Sequence, residues 1–289
     1  MLRFATPALP LLLTLVLSWS AAAEPSHWTD DGRIAAALEA GDIDETEALW
    51  LDFLRHFEPD ELPLAYRGEQ RPGLSCGTGL VLALNRAWET FSPAQQARMA
   101  PRVRPMATVT PPPPDTMEDD TCWGAYGEHR VMGEHFVVEW DGNTVSESMA
   151  ENFLAALEHS WEVEVEELGW RAPDGSDDYL MLTFISDDDW GGAYTTVDMC
   201  NGELLPYIVA SSGSFAGGTW YQDMACHEFN HAMQFGYSYA HEFWWWEATA
   251  TYIEDDVYPT HEGWSPYLTG YTQNPWMAMN ANSDYDYDR

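Results

Sequence analysis

Two histidines spaced four residues apart place the strongest constraint on how this chain can fold. His227 and His231 lie in the sequence HEFNH, and on an α-helix such residues project from one face, one turn above the other. Two imidazoles in this arrangement can bind one Zn²⁺. Glu228 directly follows the first histidine, where it can accept a proton from water that the ion acidifies. The pattern therefore predicts a helix that carries two zinc ligands, with Glu228 as the catalytic base.

The flanking residues predict where this helix begins and ends. Thr219 and Gln222 have the spacing of a capping box, and Gly236 is placed to end the helix. Upstream, residues 207–210 (YIVA) predict a short strand, which we expect at a sheet edge beside the cleft.

A catalytic zinc ion needs a third protein ligand and an open position. The sequence offers His241, in a loop-like stretch, and Glu247, in the helical stretch WEATATYIE. Glu247 is favoured because a helix fixes its position better than a loop does. The small side chain of Ala250 would let the two helices approach closely. Glu254, two turns further on the same face, is placed to accept a hydrogen bond from a ligand imidazole.

The pair of segments HEFNH and WEATATYIE resembles the gluzincin-type zinc metallopeptidases, and residues from about 135 to 260 resemble exported bacterial metalloproteases. The resemblance implies that His227, His231 and Glu247 are zinc ligands and that Glu228 is the base. The predicted strands and helices indicate an α+β fold, and the resemblance implies a zincin-like domain with a small mixed sheet and two motif helices, preceded by a helical N-terminal region. The chain ends soon after Glu247, so we expect a minimal or C-terminally truncated version of that domain.

The expected function is that of an exported zinc-dependent metalloprotease, which hydrolyses peptide bonds in a protein or peptide substrate. The alternative is a non-catalytic exported zinc-containing module with a binding or structural role, which the short C-terminal part motivates. Tyr252, Tyr258 and His261 are all close enough in sequence to donate to the oxyanion, and the choice among them stays open.

The first 23 residues have the pattern of a secretory signal peptide, with Arg3 as their only charge and Ala21 to Ala23 before the cleavage point. No later stretch is long and apolar enough to span a bilayer. We therefore expect a secreted or periplasmic protein with no membrane span after cleavage. The net charge of −36 argues against nucleic acid as a partner. The oligomeric state is not predicted.

Four cysteines in an oxidising compartment predict two disulfides. Cys226 directly precedes a ligand, and Cys200 lies just before the predicted edge strand. We therefore predict a Cys200–Cys226 bridge, which leaves Cys76–Cys122 to join the helical region to the second domain. A less favoured alternative is that Cys76 binds the zinc ion in a latent form, because a thiolate is a good zinc ligand.

The proline-rich segment 101–119 is predicted to be a linker. It follows a helical N-terminal region at 24–100, which could be a propeptide, and it precedes the zincin-like domain at 120–289. Hydrophobic periodicity and capping residues predict the remaining elements. The predicted helices are 34–40, 45–54, one beginning at 93 and 146–168, and the predicted strands are 135–140 and 179–185.

Overall fold

The structure is a computed structural model that describes residues 26–28, 32–68, 70–72, 75–105, 121–143, 145–215, 218–237 and 243–261. The predicted signal peptide, most of the predicted linker and His241 lie outside these described residues. The first residues of the predicted linker are helical, because the helix that begins at Pro93 continues to Val103.

The described residues form seven α-helices, of which only Thr78–Arg86 was not predicted as a separate element. Asp44 accepts a hydrogen bond from the backbone N–H of Glu47 at 2.8 Å, and Ser92 forms a capping box with Gln95. Side chains therefore provide hydrogen-bond partners for the first backbone N–H groups of the helices that begin at Glu45 and Pro93. The helices are α1 Arg33–Ala40, α2 Glu45–Phe57, α3 Thr78–Arg86, α4 Pro93–Val103, α5 Glu147–Trp161, α6 Trp220–Tyr237 and α7 Phe243–Val257. A π-helical turn, Glu162–Glu167, extends α5.

The strands form one small and one large sheet. They are β1 Ser26–Trp28, β2 Gln70–Pro72, β3 Ser75–Cys76, β4 His129–Met132, β5 Phe136–Trp140, β6 Met181–Ser186, β7 Gly192–Cys200 and β8 Glu203–Ser211. β1 and β2 pair with each other, and the other six form a mixed sheet in the order β3-β7-β8-β6-β5-β4. Strands β5, β6 and β8 are parallel to one another, β4 runs antiparallel to β5, and β7 runs antiparallel to β8 and parallel to β3. The predicted α+β class is confirmed.

The strand predicted at 207–210 exists, but its predicted place at a sheet edge is wrong. It belongs to β8, which lies inside the sheet between β7 and β6. Residues Leu205–Ser211 are buried without interruption, a pattern typical of strands covered on both faces. Its neighbour β7 lies closer to the edge of the sheet, and the sequence analysis did not predict β7.

Helices cover both faces of the large sheet. Along β8, Tyr207 and Val209 belong to one hydrophobic core and Ile208 and Ala210 to another, because successive side chains of a strand point to opposite faces. The first core also contains the buried side chains of α2, α3 and α4, and the second contains those of α5 and α6. The N-terminal helices therefore share a core with the sheet.

The structure contradicts the predicted disulfide pairs. Cys122 bonds to Cys200, with 6.1 Å between the two Cα atoms, and Cys76 and Cys226 are free thiols. The pairs Cys200–Cys226 and Cys76–Cys122 are thus wrong. The reason is distance. The strand β7 contacts α6, the helix that carries Cys226, through Thr195, whereas Cys200 lies five residues beyond Thr195, roughly 17 Å further along the strand.

Among the described residues, no helix combines the length and the apolarity that crossing a bilayer requires. The Cys122–Cys200 disulfide is consistent with an oxidising, extracytoplasmic compartment.

Candidate metal centre

The HEFNH motif lies on α6, as predicted, within a helix that is buried without interruption from Asp223 to Phe235. The imidazole rings of His227 and His231 have centroids 4.8 Å apart, because residues one turn apart share a helix face. The helix packs against both the sheet and α7. The two histidines are therefore fixed in a protected position rather than on an exposed helix face.

Four side chains bring metal-binding atoms together at this point. Cys76, His227, His231 and Glu247 each offer one such atom, and all four atoms lie within 4.8 Å of one another. Glu247 Oε2 is 3.2 Å from His227 Nε2, and Glu247 Oε1 is 3.5 Å from His231 Nε2. The sulfur of Cys76 is 3.4 Å from His231 Nε2 and 3.7 Å from Glu247 Oε1.

These four separations are similar in size to those between neighbouring ligands of a zinc ion. Ligand bonds of about 2.0–2.3 Å in tetrahedral geometry place neighbouring ligand atoms about 3.3–3.7 Å apart. The four measured contacts, from 3.2 to 3.7 Å, lie close to that range. The side chains present are therefore grouped closely enough to hold a metal ion.

The outer nitrogens of both histidines are held by hydrogen-bonding partners. His227 Nδ1 lies 2.7 Å from Glu254 Oε1, and His231 Nδ1 lies 2.7 Å from Gln234 Oε1. When each Nδ1 carries a proton and donates it to these acceptors, each Nε2 presents a lone pair to the centre of the cluster. Glu254 thus occupies the supporting position expected from the sequence. Gln234 was missed, although its three-residue spacing from His231 was a visible signal.

The electrostatics of the cluster favour positive charge at its centre. Burial lowers the pKa values of His227 and His231, but Cys76 and Glu247 raise them, and the net shift for both is upward. Burial raises the pKa of Glu247, and the two imidazoles, His231 foremost, reverse this and leave it below its ordinary value. Protons on the imidazoles would balance the acidic groups. A divalent cation would provide the same balance.

Glu228 lies beside the cluster in a buried position, held by two threonines. Thr195 Oγ1 is 2.7 Å from Glu228 Oε2 and also 2.7 Å from the Glu228 backbone carbonyl oxygen. Thr78 Oγ1 donates to Glu228 Oε2 at 3.2 Å. Sequence reasoning did not find either threonine, because they come from β7 and α3, distant in the chain.

The three residues considered as oxyanion donors lie outside the four-residue cluster. His261 Nδ1 is 2.7 Å from Asp223 Oδ1, and its ring stacks on Tyr258 with centroids 4.9 Å apart. Tyr252 is largely exposed. None of these contacts reaches the four-residue cluster, so the choice of oxyanion donor stays open. Cys226 packs against Ile253 in a separate small core.

Comparison with known proteins gave no assignment: no family model, no curated protein and no solved structure matches this chain. The residues of the site and their geometry are therefore the basis for inferring its function.

Proposed function

We propose that this protein is a zinc-dependent metallopeptidase with a zincin-like site. One observation carries the proposal: metal-binding atoms of His227, His231 and Glu247 converge in a buried cluster, and Glu228 follows the first of these residues on the same helix. The hydrogen bond between Glu254 and His227 supports it, since zinc-bound histidines almost always donate their other N–H to such an acceptor.

Zinc is the metal that this donor set suits best. Imidazole nitrogen combined with carboxylate oxygen and sulfur is typical of zinc, whereas Ca²⁺ and Mg²⁺ prefer oxygen ligands alone. When bound, Zn²⁺ supplies Lewis-acid chemistry, which polarises a carbonyl group and lowers the pKa of water.

In the proposed reaction Glu228 moves the proton. Its carboxylate accepts a proton from the attacking water and passes it to the nitrogen of the leaving amine as the C–N bond breaks. The contact of Thr195 with Glu228 fixes the orientation of this carboxylate. The substrate would be a protein or a peptide, and we propose an exported location, in keeping with the disulfide and the apolar N-terminal segment.

The substitution Glu228→Gln tests the catalytic role, because it removes the base and leaves the metal-binding atoms in place. Zinc content should stay at one ion per chain, whereas hydrolysis of a generic protein substrate should fall by about 10²–10⁴-fold. Wild type and Glu228→Gln should each also be assayed in a form that carries the additional substitution Cys76→Ala, which removes the thiol from the cluster. Wild-type protein without zinc, or equal hydrolysis by Cys76→Ala with and without Glu228→Gln, would contradict the proposal.

One observation favours a second candidate function, a non-catalytic exported zinc-containing module. With Cys76 the cluster holds four protein donors, the number typical of structural zinc sites, whereas catalytic sites usually have three. This candidate predicts one zinc ion per chain but no hydrolysis, even after Cys76 is replaced by alanine.

A further inference from the structure

The segment of residues 75–78, here called the 75–78 segment, contacts three different parts of the proposed site. It contains the short strand β3 and the first residue of α3. Each contact uses a different residue or atom of the segment, so the three observations are separate.

The first contact is with the metal-binding atoms. Cys76 Sγ lies 3.4 Å from His231 Nε2 and 3.7 Å from Glu247 Oε1. These are the separations expected between ligands of one tetrahedral ion. A catalytic zinc ion with three protein ligands keeps its fourth position for water or substrate. The thiol of Cys76 stands at that fourth position.

The second contact is with the proposed base. Thr78 Oγ1 donates to Glu228 Oε2 at 3.2 Å while it accepts from the backbone N–H of Thr195 at 2.8 Å. The carboxylate is therefore already hydrogen-bonded to the segment.

The third contact is with the edge of the sheet. Cys76 is the register partner of Ala193 on β7, and the backbone N–H of Gly77 donates to the Ala193 carbonyl at 2.7 Å. An exposed strand edge beside a catalytic site can bind an extended peptide through main-chain hydrogen bonds. Here the 75–78 segment already uses that edge.

We propose that the 75–78 segment is a built-in inhibitor, in which the Cys76 thiolate is the fourth metal ligand and blocks the position that substrate needs. Coordination by Cys76 does not depend on the reaction, whereas the inhibitory role rests on the proposed function. Activation then requires the segment to leave β7.

Release of the segment must be local. Buried residues of α2, α3 and α4 share a hydrophobic core with Phe184, Tyr194 and Tyr207 of the sheet. Removal of all the N-terminal helices would expose that core to water, at a cost of about 25 cal/mol for each Å² of apolar surface. Displacement of the 75–78 segment alone breaks the contacts described above and the hydrogen bond from the Val81 N–H to the Gly77 carbonyl at the start of α3, but it does not require the remaining core residues of α2, α3 and α4 to leave the sheet.

Coordination can be tested with cobalt, which replaces zinc and makes a bound thiolate visible. Co²⁺-loaded wild-type protein should show thiolate-to-cobalt charge-transfer absorption in the near ultraviolet. Cys76→Ala and Cys76→Ser should lose this absorption while they keep one cobalt ion per chain. The matched control is Cys226→Ala, which removes the other free thiol and should keep the absorption. A wild-type spectrum without this band, or a band that persists in both Cys76 variants, would overturn the proposal.

Access to the metal can be tested with acetohydroxamic acid, a small chelating probe that needs an open coordination position. If the thiolate leaves the metal in a tenth of the molecules or fewer, the cobalt-loaded Cys76→Ala variant should bind the probe about tenfold or more tightly than wild type. Equal affinity in the two proteins would overturn the inhibitory role. If the variant binds the probe but cleaves no peptide, coordination and blocking by Cys76 are supported and the proposed peptidase activity fails.

Discussion

Removal of the Cys122–Cys200 disulfide should destabilise the protein by an amount that follows from the length of chain it closes. The two cysteines are 78 residues apart in sequence. In the chain-entropy treatment of cross-links, a loop of about this length lowers the entropy of the unfolded chain by about 15 cal/mol/K, or about 4.5 kcal/mol at 25 °C. The double substitution Cys122→Ser/Cys200→Ser should therefore cost about 3–4.5 kcal/mol, within the range of about 2–5 kcal/mol typical for the removal of a native disulfide.

Urea unfolding followed by tryptophan fluorescence measures this cost, and the chain has 15 tryptophans. Both proteins should be unfolded in the presence of a chelator, since a bound metal ion would add its own stabilisation. The matched control is Cys76→Ser, which removes a thiol that is outside the bridge. In chelator it should cost much less than the double variant.

Thiol counting supplies the second measurement. The unreduced, denatured wild-type chain should react as two thiols, those of Cys76 and Cys226. Four reactive thiols would show that the bridge is absent. A loss below about 1 kcal/mol in the double variant would show that the closed loop does not limit the unfolded chain as the reasoning requires.

Three further substitutions test individual side chains. Glu247→Ala should severely weaken zinc binding in a competition titration, because it removes the carboxylate that faces both imidazoles. Glu254→Ala should weaken zinc binding by about 10–100-fold, and Glu254→Gln by less, because an amide oxygen can still accept from His227. Glu164→Gln should stabilise the protein at pH 8 and have little effect at pH 4, as measured by urea unfolding at the two pH values.

The sign of the Glu164 effect follows from burial. Loss of hydration raises the pKa of this carboxyl well above its ordinary value, although the hydrogen bond from Asn230 opposes the shift. The folded chain therefore binds a proton that the unfolded chain has already released, and stability falls as the pH rises from about 4.5 toward the raised value. Glutamine carries no titrating proton, so the benefit of the substitution should grow over the same range.

A different result would contradict each of these three predictions. Unchanged zinc affinity in Glu247→Ala would remove Glu247 from the ligand set, and equal affinities in wild type and Glu254→Ala would remove the supporting role of Glu254. A gain for Glu164→Gln that is the same at pH 4 and pH 8 would mean that the carboxyl does not titrate as described.

The parts of the site that the sequence predicted are local along the chain. The helix of HEFNH was predictable because its signal needs only a repeat of four residues and capping residues. Glu247 was placed near the two histidines by the resemblance and by the helical pattern around it, and the structure puts its carboxylate 3.2 Å from His227 Nε2.

The parts that were missed depend on which distant segments meet. Residues 207–210 were correctly predicted as a strand, but their position inside the sheet was missed. Four residues alone do not distinguish an inner strand from an edge strand, and only the longer run of buried residues does so. Disulfide pairing failed for the same reason, because four cysteines allow three connectivities and the spacing alone does not choose among them. The contact of Thr78 with Glu228 joins residues 150 positions apart.

The distance along the chain between Cys76 and the other metal-binding residues has a consequence for folding. His227 and Glu247 are only 20 residues apart, so α6 and α7 can capture an ion as soon as these two helices pair. Cys76 is separated from Glu247 by 171 residues, and contacts of such long range form late because a large loop must close first. The near-ultraviolet thiolate band of a cobalt-loaded chain would therefore report when the 75–78 segment has joined α6 and α7, and its delay after ion capture could be timed by stopped-flow mixing.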